Sequence, residues 1–422
     1  MEISFVPSSD VAVVLNALLN IFERREQHAT RKNGHGTRPI KITLNELALP
    51  TYFSQIDPQP RLITNEQLSR LEHAGLLTLT WLPGETGNLL QFVTLTTEDI
   101  TSDTSNAPLY AFLNREPVST TRSRLETLLL ADQFRFSKDE WTFRVIHRTL
   151  TKLRTGKSPA PFSLTDSSWN LDLLTILSAL SSLETETPYR VFSVRTFNDS
   201  KRFDELKHAM VRLARYANPE WKTLATDDIL RELNLVANPT HIHLAGNWQL
   251  TTQNGEILSL GGFIPSVGFP AAQIETIQSV TIHAESVLCI ENLTSFHEFL
   301  RINDTCNTKH ATICLMGNPS PTIRRLLQLL PDSIPIYLWA DIDYGGFNIL
   351  SQLRRHIRHQ IHPYLMDISI FEKYAHLSRP LMQSDIRNLK HLYTRPELTD
   401  IRTTIEHLIH RGLKLEQEAI RI

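Results

Sequence analysis

The feature that most limits the fold lies in the last third of the chain. Three apolar runs, SVLCI at 286–290, ATICLM at 311–316 and IYLWA at 336–340, are separated by stretches of helical periodicity at 294–303, 321–330 and 346–358. A strand with one wet face alternates polar and apolar residues, whereas a run apolar throughout is a strand buried on both faces. Such runs alternating with helices define βαβ units around a parallel sheet, so the fold class here is α/β. A fourth strand is expected over 366–370. Ligands of open sheets of this kind bind beyond the carboxyl ends of the strands.

Three acids fall at that edge. Glu291 follows the first run directly, and Asp341 and Asp343 follow the third, in A-D-I-D-Y-G-G-F. In extended backbone, positions i and i+2 point the same way, so Asp341 and Asp343 can share a cation. Mg²⁺ takes hard oxygen ligands, commonly one or two carboxylates plus water and substrate phosphate. Gly345 and Gly346 allow a tight entry into the next helix, whose first amides would then face a phosphate. A lone D-x-D arises about once by chance in a chain of this size, and charged pairs at strand ends are often simply solvated. Position separates this one: an acid after the first strand, D-x-D after the third, glycines behind it. A phosphatase of the D-x-D-x-T type is disfavoured, since Gly345 stands where its threonine would be.

The 422 residues suffice for two to four domains, and 41% hydrophobic with 21% charged residues describes a globular protein. The net charge of −2 gives no general attraction for nucleic acid, which would have to come from local patches. Cys289, Cys306 and Cys314 are too few and too unevenly spaced for a disulfide framework or zinc site, which suggests a reducing compartment. No apolar run approaches membrane-spanning length, and the first residues do not read as a signal peptide. A cytoplasmic protein without membrane contact is expected.

Four segments are expected. Residues 1–100 read as a winged-helix-like module: an amphipathic helix over 11–25, a helix opened by a capping box at Thr64 and stopped at Gly75, then two strands around a turn at 83–88. A basic cluster (Arg24, Arg25, Arg31, Lys32, Arg38, Lys41) tips this module toward phosphate. Residues 101–185 read as a helical spacer containing an exposed Pro/Ser-rich linker at 155–168. Residues 186–277 again suggest a winged helix: a strand over 189–197, a helix from about Lys201, one capped by Thr226, and a hairpin over 241–263. Residues 278–422 hold the parallel sheet. The histidines His356, His359 and His362 are expected as solvated helix residues.

Several strings together carry a resemblance: C-I-E-N-L-T-S-F at 289–296, M-G-N-P-S at 316–320, A-D-I-D-Y-G-G at 340–346, L-E-Q-E at 415–418 and S-V-R-T-F-N-D-S-K at 193–201. They resemble the Wadjet-type nuclease subunits (the JetD family), relatives of the topoisomerase VI A subunit, over most of the chain. The resemblance implies a Toprim domain over 278–422 and a CAP-type winged helix over 186–277. Tyr344 and Ala340 depart from the family's usual proline and glycine. It further implies Mg²⁺-dependent hydrolysis of double-stranded DNA in plasmid defence, with Glu291, Asp341 and Asp343 as ligands, Mn²⁺ able to substitute, and an SMC–kleisin partner. Glu291 could instead be a general acid. Arg195 and Lys201 are candidate phosphate contacts; Glu416 and Glu418 are candidates for a second metal site or a solvated helix face. Double-strand cutting needs two sites, so a homodimer is expected. Two rival readings are a non-cutting DNA-binding or assembly subunit and a topoisomerase-like enzyme. No paired tyrosine stands near 190–216, only Tyr189 and Tyr216, which favours water as the nucleophile.

Overall fold

The computed structural model describes residues 5–32, 39–96, 107–133, 135–138, 140–303 and 309–421. The chain divides into two compact units, Met1–Ser181 with Arg212–Ala217 and Ser182–Val211 with Asn218–Ile422.

In the first unit the helix Ser9–Lys32 buries Val11, Leu15, Leu18 and Phe22, spaced three and four apart. It shares a core with the helix Gln59–His73 and a three-stranded antiparallel sheet, Ile40–Thr43 and Leu77–Trp81 flanking Leu90–Leu95. The second helix starts five residues before Thr64, at Gln59, whose amide bonds the Asp57 carboxylate at 2.9 Å. Thr64 is fully buried in mid-helix, so the expected capping box does not cap. Gly75 ends the helix with φ of 76°. Of the basic cluster, Arg31 and Lys32 have side chains, and Arg38 its whole residue, outside the described set; Lys41 covers the Phe92 ring at 4.5 Å. The helices Val118–Gln133, Trp141–Arg154 and Ser167–Ser181 follow. The expected linker 155–168 is exposed at 155, 157–158 and 165–168 but packed at its centre, where Phe162 is buried and Asn170 bonds both backbone groups of Ser163.

In the second unit, residues 189–197 form a helix, Tyr189–Phe197, where a strand was expected. Tertiary capping overrides the β-branched composition. Asn198 adopts the left-handed conformation, φ 55°, and the buried Ser193 hydroxyl accepts from Phe203 N at 3.0 Å while donating to Asp199 O. The helix Arg202–Ala217 follows, belonging to this unit as far as Val211, then Thr226–Glu232, where Ala225 and not Thr226 occupies the cap.

A six-stranded sheet forms the core, in the order Ile361–Pro363, Ile336–Trp339, Ser286–Ile290, His310–Cys314, His241–Ala245, Val267–Pro270. The first four are parallel; the last two join antiparallel. The fourth parallel strand is therefore Ile361–Pro363. Residues 366–370 instead enter the helix Ile368–Lys373, capped by Asp367, whose carboxylate accepts from Ile370 N at 3.0 Å. The expected hairpin also resolves differently. Trp248–Thr252 pairs with Ile257–Ser259 and Ile277–Ile282, while His241–Ala245 goes to the main sheet. Of the three histidines only His356 ends a helix in solvent. His359 is buried with Nε2 3.1 Å from Leu330 O, and His362 lies in the edge strand beside Tyr337. Cys289 and Cys314 are buried and unpaired, their thiols pushed up by burial; Cys306 lies outside the described residues. Among the described residues no helix is long and apolar enough to cross a membrane.

Candidate functional site

All five residues of Ser286–Ile290 are buried, so Glu291 is the first side chain of that strand to reach the carboxyl edge. Its amide donates to Trp339 O at 3.0 Å, and the next residue, Asn292, caps the helix Leu293–Ile302 by accepting from Thr294 N. On the neighbouring strand Ile342 is fully buried, which turns Asp341 and Asp343 to the opposite side from the core. Glu291 Oε2 accepts from Asp341 N at 3.1 Å. The two strand ends that carry the acids are thus joined by one of the acids.

The C-terminal segment completes the site. Ile342 and Leu415 exchange backbone hydrogen bonds of 2.9 and 3.2 Å. Gln417, fully buried, lies at the junction. Its amide donates to Asp341 Oδ1 at 2.7 Å, its Nε2 to Trp339 O at 2.8 Å, and its Oε1 accepts from Asn292 N at 3.2 Å. Glu418 accepts from Asn292 Nδ2 at 2.5 Å, whereas Glu416 is turned to Arg379 at 2.8 Å. Glu418 is exposed in the short 3-10 helix Gln417–Ala419, which Glu416 precedes. Gln417 and Asn292 escaped sequence reasoning. The signal available was position alone, Gln417 between two acids and Asn292 beside a third.

Asp343 Oδ1 accepts from Gly346 N at 3.1 Å and so caps the helix Tyr344–His356; Oδ2 lies 3.7 Å from Lys414 Nζ. The amide of Gly346 therefore serves Asp343. A Cβ on Gly346 would come within 2.0 Å of Asp341 O, so only glycine lets the helix start this close to the strand end. Gly345 is exposed.

Burial, and then the charge of Asp341, lifts the Glu291 carboxyl to about 8. Burial raises Asp341 to about 6, partly offset by the Gln417 amide, with Asp343, Glu418 and Glu416 adding repulsion. The cluster is therefore short of positive charge. As they stand, no three His, Cys, Asp or Glu side chains among the described residues are gathered closely enough to hold one ion. The donor chemistry nonetheless suits a hard divalent cation: Glu291, Asp341 and Asp343 offer carboxylate oxygens, and burial keeps the nearby Cys314 thiol protonated.

Arg195 and Lys201 are both exposed, and neither side chain makes an ion pair with the acidic cluster. What ties their module to the sheet is another set of contacts. Tyr344 donates to Thr223 Oγ1 at 2.6 Å, Asn318 to Asp228 Oδ2 at 2.7 Å, and Arg324 forks onto Glu232 at 2.6 and 2.8 Å. Tyr344 and the M-G-N-P-S string thus have structural work at this junction.

An α/β unit with an all-oxygen acidic cluster at the carboxyl edge of its parallel strands is the class that fold and site define. A family model described as Wadjet protein JetD, C-terminal, matches residues 254–422, which include Glu291, Asp341, Asp343, Glu416 and Glu418. Over 414 residues the chain is 22% identical to the Wadjet protein JetD of Bacillus cereus (strain Q1), covering 96% of this chain and 97% of that protein. The chain is thus similar to JetD along nearly its whole length, and its C-terminal part matches the JetD C-terminal family.

Proposed function

We propose that the chain is a Mg²⁺-dependent DNA endonuclease of Toprim type, the cutting subunit of a Wadjet-like plasmid-defence complex, acting as a homodimer with an SMC–kleisin partner. The observation that carries this reading is that Glu291, Asp341 and Asp343 share one sheet edge, where burial and neighbouring carboxylates raise two of their carboxyls.

Glu291, Asp341 and Asp343 would hold the ion. A divalent cation bound there would polarise phosphoryl oxygens and make bound water acidic enough to attack. The chain's own groups do the rest. Gln417 holds the Asp341 carboxylate in place through its backbone amide. Asp343, fixed by Gly346 N, is kept at a set angle to Asp341. Glu291 retains its proton near neutral pH in the cation-free state and would give it up on joining Asp341 and Asp343 as a ligand. Arg195 and Lys201 are the candidate contacts to DNA phosphates; both are exposed and form no ion pair among the described residues.

Water is favoured over tyrosine as the nucleophile. Burial, with Asp227 nearby, pushes the Tyr189 phenol up to about 12, and Tyr216 is covered by the Arg148 guanidinium 3.4 Å from its ring. One observation favours a non-cutting assembly subunit instead: Asp343 is already engaged by Gly346 and Lys414. Incubating the full chain, alone and with its partner complex, with circular plasmid in Mg²⁺, Mn²⁺ or EDTA separates the readings. The proposal expects metal-dependent linearisation abolished by Asp341→Ala. Cleavage that survives that substitution contradicts the site assignment, and no cleavage under any condition leaves the assembly reading. A covalent protein–DNA adduct trapped by denaturation would point to the topoisomerase-like route.

A further inference from the structure

A cavity of about 420 Å³ lies at the same sheet edge as the acidic cluster, one strand across from Glu291. Part of its wall is the end of the His310–Cys314 strand and the two residues after it, Leu315 and Met316. That wall is tied to Glu291: Leu315 N donates to Ile290 O at 2.8 Å and Gly317 N to Glu291 O at 3.2 Å. The helical side contributes Tyr189, Glu186, Asp227 and Arg231, all in the second compact unit.

The size is that of small-ligand sites, and the lining limits the chemistry. Met316 is 48% exposed and held at φ 55°, where non-glycine residues are uncommon. Together with the Tyr189 ring it offers apolar surface of the kind a flat ring covers. Two of the polar groups, Glu186 and Asp227, are carboxylates that only accept. Asp227 is exposed, Glu186 accepts from the Thr240 hydroxyl at 2.7 Å, and the Arg231 guanidinium is already paired with Asp228. His243, held neutral by burial and by the neighbouring His297 and His241, adds no positive charge. A phosphate would be repelled here. An uncharged flat ring bearing an amine would be bound, because carboxylates accept from exocyclic amines. That description fits a nucleobase.

We propose that this cavity receives a nucleobase of the strand being cut, turned out of its stack, with Tyr189 and Met316 supplying ring contacts and Glu186 and Asp227 accepting from its exocyclic amine. The inference rests on the DNA-cutting reading and adds a preference to it: adenine, cytosine and guanine carry the amine, and thymine does not. Unstacked bases held this way recur in proteins that work on DNA strands.

The test is a titration of the full chain, in EDTA so that nothing is cut, with a trinucleotide carrying 2-aminopurine between two thymines, followed by 2-aminopurine fluorescence. The expected result is a saturable change, competed by a trinucleotide with adenine at the centre more strongly than by one with thymine. Binding should weaken by about tenfold in Tyr189→Leu and in Asp227→Asn and persist in Tyr189→Phe. No fluorescence change at millimolar trinucleotide, equal competition by adenine and thymine, or full affinity in both weakened variants would overturn the proposal. Plasmid cleavage is read separately. Cutting without base binding removes the cavity's role and leaves the nuclease; base binding without cutting in any metal does the converse.

Discussion

Glu291 is the residue at which sequence position and physical environment most clearly coincide. It is the first side chain after a five-residue buried strand, and the burial that places it also keeps its proton on to about pH 8. Asp341, raised to about 6, shares the same cause. A folded state that binds a proton more tightly than the unfolded chain is favoured at low pH. The Glu291 contribution is therefore fully present below its ordinary value of 4.5 and is lost as pH rises through about 8. In EDTA the melting temperature of this unit should fall by at least about 3 °C between pH 6 and pH 9. Glu291→Gln, which cannot ionise, should flatten that decline, as followed by scanning calorimetry across pH. An unchanged slope in the variant would mean that the proton sits elsewhere.

Among elements, the C-terminal segment has the larger influence on the site than its length suggests. Leu415 extends the edge of Ile342, and Gln417 ties three strand-end groups together from 76 to 125 residues away in sequence. Gln417→Leu keeps the bulk but leaves Trp339 O and Asn292 N without their side-chain partners, at a cost of roughly 2–4 kcal/mol. The segment should then loosen, and exchange of the Ile342 amide, which donates to Leu415 O, should speed up by about tenfold or more. Unaltered exchange would show that Gln417 does not hold the segment in place.

The elements also differ in how far they could be read from sequence. The parallel strands at 286–290, 310–314 and 336–339 were legible because burial on both faces leaves an unbroken apolar run. Ile361–Pro363 was not, being three residues long with a histidine at its centre. Residues 189–197 look like a strand locally; their helix is fixed by Asn198 and by Ser193 bonding across to Phe203, partners that only the fold supplies. The same reasoning applies to Gln417. Its burial depends on a chain return that no local pattern announces, while the three acids could be found because each directly follows an apolar run.

At the scale of the whole molecule, the JetD relationship and the acidic edge point the same way by separate routes. One is a likeness along nearly the full chain; the other is a cluster of acids in which burial and mutual repulsion raise Glu291 and Asp341. Both come down to whether that cluster holds a divalent cation. Titrating the full chain with Mn²⁺ and counting free ion by electron paramagnetic resonance answers this without DNA or a partner complex. The account predicts saturable binding at neutral pH that Mg²⁺ competes, weakened by about tenfold or more in Asp341→Asn and weaker at pH 6 than at pH 8 because Glu291 must give up its proton. Binding of equal strength in wild type and Asp341→Asn, or none at millimolar Mn²⁺, would contradict it.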